Sequence, residues 1–416
     1  MKFFIRNFTL AFIIFSPFAS WLAISGWLRL PVVLILVLFL ISIPLLISKI
    51  IRHPAIFLKH REDLLLYLFL STIFISFLLG FLNQRSFNHT LSYIFSIFFY
   101  FTFFKIIIDQ TKISVATIAK FVAISVLLNN GIIIIEWSLL NFGQIVIRDF
   151  FLTGGPGTSN MLYYTHPFFK AVAGTGEEPG GTASLINIYF PIGLWYVKKF
   201  KRNFLVVGYV IIHLVALTFL ASVAGVVFLL ITYFVWSLYK IKLLIRYAYV
   251  STFILVVFLL LYNLNLFDTQ KFTNNYSSYI IEKVTLSNSN ISASTRKNMW
   301  KNAISDWQAK PLFGHGPGYG VEKYTTGYFN TFLTILADGG IISFFLFLSF
   351  LTIIIIKLFH IAQFDMFFMF ISIGCMLLHS SIYYVYYHEP FWLPLILLQI
   401  LYSQRMERQK IALNNA

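Results

Sequence analysis

The stretch Leu30–Ser48 reads LPVVLILVLFLISIPLLIS and holds no charged residue. Wound as a helix at about 1.5 Å per residue, it matches a hydrocarbon core of roughly 30 Å. Similar apolar runs recur along the chain, at roughly 8–24, 64–82, 90–108, 117–140, 182–197, 204–220, 224–239, 247–264, 330–356, 366–385 and 391–403. The expected fold is therefore an all-α polytopic membrane protein of about 12 transmembrane helices, one integral domain over 1–416. Composition agrees: 59% of the 416 residues are hydrophobic, 19% aromatic and 11% charged, and the mean hydropathy is +0.81. A soluble chain of this size cannot hide so much apolar surface. A membrane β-barrel would show alternating segments of about ten residues instead. Lys2 and Arg6 ahead of the first run imitate a signal peptide, but no small-residue cleavage site follows, so the run is read as a helix.

The net charge of +16 would suggest nucleic acid in a soluble protein. Here its distribution explains it. With the N-terminus inside, the inner segments carry 20 Lys and Arg, while the short outer turns carry only Arg29 and Arg85. That bias places both termini in the cytoplasm and makes nucleic-acid binding an unneeded hypothesis. The single cysteine, Cys375, lies in an apolar run. It excludes an internal disulfide framework, and no His, Asp or Glu cluster has metal-ligand spacing, so no metal or cofactor is expected.

Two long loops remain, 141–181 after the fifth span and 265–329 after the ninth, and both are expected on the outer face. The second contains TRKNMWKNAISDWQAKPLFGHGPGYG, Thr295–Gly320. Ser294 or Thr295 can cap a helix running to Ala309. Trp300, Ala303, Ile304 and Trp307 fall on one face at helical spacing, with Lys297, Lys301 and Asp306 elsewhere, which predicts a helix lying on the membrane surface. Pro311 ends it. The glycine string Gly314–Gly320 is not a nucleotide loop, because no Gly-Lys-Ser/Thr follows a strand. It is read either as a turn or as backbone open to an anion, with Arg296, Lys297 and Lys301 nearby. In the first loop Arg148 is a snorkelling residue or a phosphate contact, and His166 lies among glycine-rich turns. Ionisable residues inside spans are few: Glu136, His213, Asp338 and His379. Such residues are functional candidates. Glu136 and Asp338 fall near outer span ends, whereas His213 reads as a hydrogen-bonded core histidine. His388 and Glu389 lie in the last outer turn. Gly339-Gly340 suggests a break in the tenth span or close helix packing there.

The order of these parts resembles the O-antigen ligase and O-antigen polymerase superfamily. The resemblance covers most of the chain by topology and is most specific over Arg296–Ser343. There Arg296, Trp300, the Pro311-x-x-Gly314-x-Gly316 string, and Asn330 with Gly340 ten residues on look like that family's C-terminal signature. The resemblance implies a glycosyltransferase on the periplasmic face of the bacterial inner membrane. Its donor would be a glycan on undecaprenyl diphosphate, with no cofactor needed. A polymerase extends carrier-linked repeat units into O-antigen, capsule or exopolysaccharide. A ligase transfers the glycan to lipid A core or protein. Implied substrate and diphosphate contacts are Arg148, Arg296, Lys297, Trp300, Gly314, Gly316 and Asn330. Implied partners are membrane lipid, a chain-length regulator and a flippase.

Two positions depart from the family pattern. Ligases carry a His just before the residue matching Asn330, and here it is Phe329. A Ser-Arg pair is usual in the turn between spans 7 and 8, and here the turn reads Ala221-Ser222-Val223. Both departures favour the polymerase branch. The general base is then sought first at His315, with Glu322, His166 and His388 as further candidates and Asp338 as an additional site residue. Readings of another class are a flippase of lipid-linked oligosaccharide and a non-catalytic subunit. A flippase would show two related halves and a charged central cavity, neither of which is evident.

Overall fold

The computed structural model describes residues 1–21, 28–52, 60–145, 164–165, 170–176, 178–239 and 291–414. The described chain is helical apart from one antiparallel pair, β1 (Tyr164–Thr165) with β2 (Lys170–Ala171). The helices are α1 (Lys2–Phe15), α2 (Leu30–Arg52), α3 (Arg61–Leu79), α4 (Gln84–Phe95), α5 (Phe104–Thr111), α6 (Val115–Phe142), α7 (Pro179–Phe200), α8 (Asn203–Phe219) and α9 (Val223–Tyr239). A π-helical turn, Ser96–Phe103, joins α4 to α5 without a break. Then follow α10 (Ile291–Ala309), α11 (Tyr319–Tyr324), α12 (Thr331–Ile356), α13 (Gln363–Ser380) and α14 (Glu389–Asn414).

Helices occupy the places expected for the spans, except at 247–264, which lies outside the described residues. Among the described residues, six stretches are long and apolar enough to cross a membrane: Leu30–Lys49, Arg61–Leu79, Gln84–Thr111, Val115–Phe142, Thr331–His360 and Gln363–Ser380. Local sequence explains their starts. Asn83 caps α4 by accepting from the Ser86 amide at 2.8 Å, and Asn330 caps α12 by accepting from Leu333 at 2.9 Å. Pro179 opens α7, where its missing N–H costs nothing.

Several boundaries differ from expectation; α14, for one, runs on to Asn414 rather than ending near 403. The first helix covers Lys2–Phe15 rather than 8–24, because Pro17 follows, has no N–H to continue the hydrogen-bond ladder and crowds the carbonyl four residues back. α13 stops at Ser380 rather than 385, and the chain turns back over the bundle end. α10 is helical from Ile291, so Ser294 and Thr295 lie inside the helix rather than at its start.

The core is one apolar cluster running from Ile5 to Leu398. α12 packs along α3, α6 along α7, and α13 along α7 and α9. Outward side chains such as Leu40, Phe74, Ile135, Ile211, Phe234 and Phe345 stay exposed. Water would make that surface unfavourable, at about 25 cal/mol per Å², whereas lipid does not. Inside the bundle His213 is fully buried and bridges Asn130 (3.4 Å) and Asn187 (2.9 Å), as a satisfied core histidine does.

The turns fall into two groups. At one end, Phe81 meets the glycine string, Val172 meets Phe219, and Asn330 meets Ser381. At the other end, Glu62 and Asp63 of α3 meet Lys357 after α12, Lys105 of α5 and Gln399 of α14.

Candidate functional site

The site is built on a break in α12. Gly340 has φ 71° and ψ −175°, a conformation that suits glycine alone, and a Cβ there would sit 2.2 Å from the Leu312 carbonyl oxygen. The break frees backbone groups in mid-helix, and the glycine string takes them. The His315 amide donates to Ala337 O at 3.0 Å, the Gly316 amide to Asp338 O at 2.9 Å, and the Ile341 amide to Pro311 O at 2.8 Å. On the other side, Phe81 donates to His315 O at 3.2 Å and the Ser76 hydroxyl donates to Asp338 O. Gly314, Gly316 and Gly318 all have positive φ. At Gly314 a Cβ would meet the Asp338 carbonyl, and at Gly318 the His89 ring.

The string is therefore a docked strap, neither a free turn nor an open anion nest. The Gly314 and Gly316 amides, expected to face a diphosphate, are bonded to Lys310 O and Asp338 O. The sequence signal for docking was the pair of glycine clusters, one at 314–320 and one at 339–340.

α10 packs on α12, with Met299, Ala303 and Asp306 buried, so of the face expected on the membrane surface Ala303 turns inward. Ile304 is exposed, and Trp300 and Trp307 are half-buried. Asp306 is only 3% exposed and is the hub of this end of the helix. It accepts from Lys323 Nζ (2.7 Å), Tyr328 OH (2.8 Å) and Tyr324 OH (3.2 Å). The hydrogen bond to Asp306 raises the Lys323 pKa. Sequence reasoning missed Asp306, since only the returning chain buries it.

The expected residues divide into two groups. Arg296 lies at one end of α10. Its guanidinium donates to Tyr383 OH at 2.9 Å and sits over the Tyr383 and Phe329 rings, 5.1 and 6.0 Å from their centroids. Arg296 Nε is buried without a hydrogen-bond partner. Trp300 Nε1 approaches Phe329 O at 3.5 Å, and Lys297 is exposed. Asn330, besides capping α12, donates to Ser381 O at 2.7 Å. Phe329 holds φ 51°, and its amide donates to Tyr384 OH at 2.7 Å. The Phe329 side chain is thus part of an aromatic wall with Tyr384.

His315 and Glu322 belong to the Asp306 end, about 15 Å from Arg296 along α10 at 1.5 Å per residue. The His315 ring stacks on Tyr319, with centroids 4.1 Å apart, and its Nε2 donates to Asp306 O at 2.9 Å. Burial, the largest influence, lowers its pKa. Glu322 pairs with Arg85 at 3.3 Å on the surface. His388 stands apart in the turn before α14, and burial pushes its pKa down to about 3, which leaves it a weak base. Glu389 is buried and accepts from Tyr189. Arg148 and His166 lie outside the described residues.

Asp338 lies between the two groups. It is 1% exposed, and its Oδ2 accepts from the Gly318 amide at 3.2 Å and meets Tyr93 OH at 3.5 Å. A small pocket beneath the strap is lined by Asp338, Thr334, His89, Tyr384 and Tyr387 with glycine backbone. Among the described residues no group of three His, Cys, Asp or Glu side chains could hold a metal. An arginine held on two aromatic rings has the chemistry for a phosphate-bearing, ring-shaped ligand.

No curated protein matches the chain. The comparison with protein families does find a match, over α8, α9, α10, the strap and the first part of α12. A family model described as O-antigen ligase matches residues 204–348, consistent with the O-antigen ligase and polymerase superfamily and with a glycan-transfer function of that general type.

Proposed function

We propose that this chain polymerises undecaprenyl-diphosphate-linked oligosaccharide repeat units into a surface polysaccharide at the periplasmic face of the bacterial inner membrane. The observation that carries the reading is the Arg296 cradle: a guanidinium held on Tyr383 and Phe329 with its buried Nε unpaired. A planar fork fixed by rings is ready to take phosphate oxygens. In the transfer, an acceptor hydroxyl attacks the anomeric carbon, and the bond to the diphosphate breaks. The electron pair leaves with the diphosphate, whose growing charge Arg296 stabilises, and the hydroxyl proton passes to a base. The exposed apolar helix faces near this end suit the polyprenyl chain and membrane lipid. The bias of 20 inner against 2 short-turn outer cations supports cytoplasmic termini, which puts the strap on the periplasmic side. A flippase and a chain-length regulator are the expected working partners.

Phe329 favours polymerase over ligase, since an aromatic wall replaces a titratable acceptor residue. The test is the glycan ladder of a deletion strain. Polymerase function predicts that single repeat units accumulate and that Arg296→Ala does not restore the ladder. Long polymer left on its carrier points to a ligase. Loss of all exported lipid-linked glycan points to a flippase. An unchanged ladder ends the reading.

A further inference from the structure

We infer that the pocket under the glycine strap is an acceptor subsite, in which Asp338 Oδ1 receives a hydroxyl of the incoming sugar. The inference rests on the glycan-transfer reading and deepens it. Its first support is an orphaned atom. Asp338 is 1% exposed, its Oδ2 is engaged by the Gly318 amide, and its Oδ1 has no hydrogen-bond partner. An unpaired buried oxygen is costly and persists where a ligand completes it.

The second support is the pocket itself, of about 40 Å³, which Asp338 lines. That is room for a hydroxyl or hydroxymethyl group and not for a whole ring. The sugar would enter edge-first. The walls suit such an edge. Tyr384 and Tyr387 offer ring faces, and His89, whose Nδ1 is 3.1 Å from Tyr387 OH, offers a polar rim. Glycine backbone at 318, 320 and 327 packs directly against the His89, Tyr328 and Tyr384 rings, so a Cβ at any of the three would displace a neighbouring ring.

The third support is position. Tyr384 is shared: it lines the pocket, and its hydroxyl accepts from the Phe329 amide at 2.7 Å, while the Phe329 ring lies under Arg296. One aromatic wall therefore separates the arginine cradle from the Asp338 pocket, as donor and acceptor sites of a transferase require.

The experiment uses the purified full chain in lipid nanodiscs. The donor is lipid-linked repeat unit extracted from the deletion strain. The acceptor is the free repeat oligosaccharide released from the same lipid by mild acid. It has lost its diphosphate, so it can accept but not donate. Asp338→Asn is the informative variant. Gly318 N–H keeps an oxygen at the Oδ2 position, so the amide NH₂ takes the place of Oδ1 and turns an acceptor into a donor. The half-saturating concentration of free repeat is expected to rise about tenfold, with that of the lipid-linked donor within about twofold of wild type. Tyr387→Phe keeps the ring but removes the hydroxyl that holds the His89 rim; it is expected to raise the value about threefold, and it decides the matter if Asp338→Asn does not fold. Wild-type saturation by free repeat in a folded variant of either kind overturns the inference and leaves the polymerase reading standing. Failure of the wild-type chain to transfer to any acceptor overturns both.

Discussion

The two ends of the helix bundle treat charge in opposite ways. At the end away from the strap, the two buried acids of α3 each have a base. Lys105 lies 2.7 and 2.6 Å from the two Asp63 oxygens, Lys357 pairs with Glu62, and Gln399 bridges to Glu62 at 2.8 Å. Four elements, α3, α5, α14 and the turn after α12, meet there. At the strap end, Asp338 Oδ1, Arg296 Nε and Glu389 Oε1 are buried without hydrogen-bond partners. A closed set of charges binds helices to each other. An open set is unstable by itself and makes sense beside a ligand.

That contrast can be broken by substitution. The largest effect is expected from Lys105→Met, which strands Asp63 and destabilises the fold by about 3–5 kcal/mol, read as unfolding in detergent. The double variant Lys105→Met with Asp63→Leu is expected to recover most of that loss, which a catalytic pair would not do. Next comes Arg296→Ala. Its expected cost is about 100-fold in polymer formation, with a thermal midpoint near wild type. Equal losses of stability and activity would make Arg296 a structural residue. Asp306→Asn is smaller, about 2 kcal/mol, because Lys323 loses its partner while the tyrosine hydroxyls keep theirs. It is read by the thermal midpoint.

The smallest effect concerns pH. His315 has its pKa lowered in the folded protein, so the unfolded chain binds the extra proton first. Stability from this group is complete above the unfolded value and falls as pH drops from about 6.5 toward the folded value. His315→Gln is expected to flatten the thermal midpoint between pH 7.5 and 5 relative to wild type. A slope unchanged by the substitution would assign the pH dependence elsewhere.

Much of the fold was legible because lipid imposes a simple rule: apolar runs of membrane length are helices. The break at Gly339-Gly340 and the buried histidine at 213 were legible for local reasons, glycine pairs and a lone polar group. The site was less so. Asp306 reads as a polar-face residue on a helical wheel, and becomes a hub only when Lys323, Tyr324 and Tyr328 return to it. The tyrosines at 383, 384, 386 and 387 resemble an interfacial belt by composition. The role of Tyr384 and Tyr387 as pocket walls depends on α13 stopping at Ser380. Arg296 was found by motif, yet its distance from His315 follows from helix rise and could have been anticipated.

The docked strap also makes a polar sequence behave as rigid structure. Residues 311–320 are the kind of glycine-rich segment usually taken for a fast-exchanging loop. Yet the amides of His315, Gly316 and Ile341 are held by carbonyls across the broken helix. None of the three can meet solvent deuterium unless strap and helix part, so their labelling is a single shared event. The slowest-exchanging amides outside the bundle core would then lie in the most hydrophilic stretch of the chain.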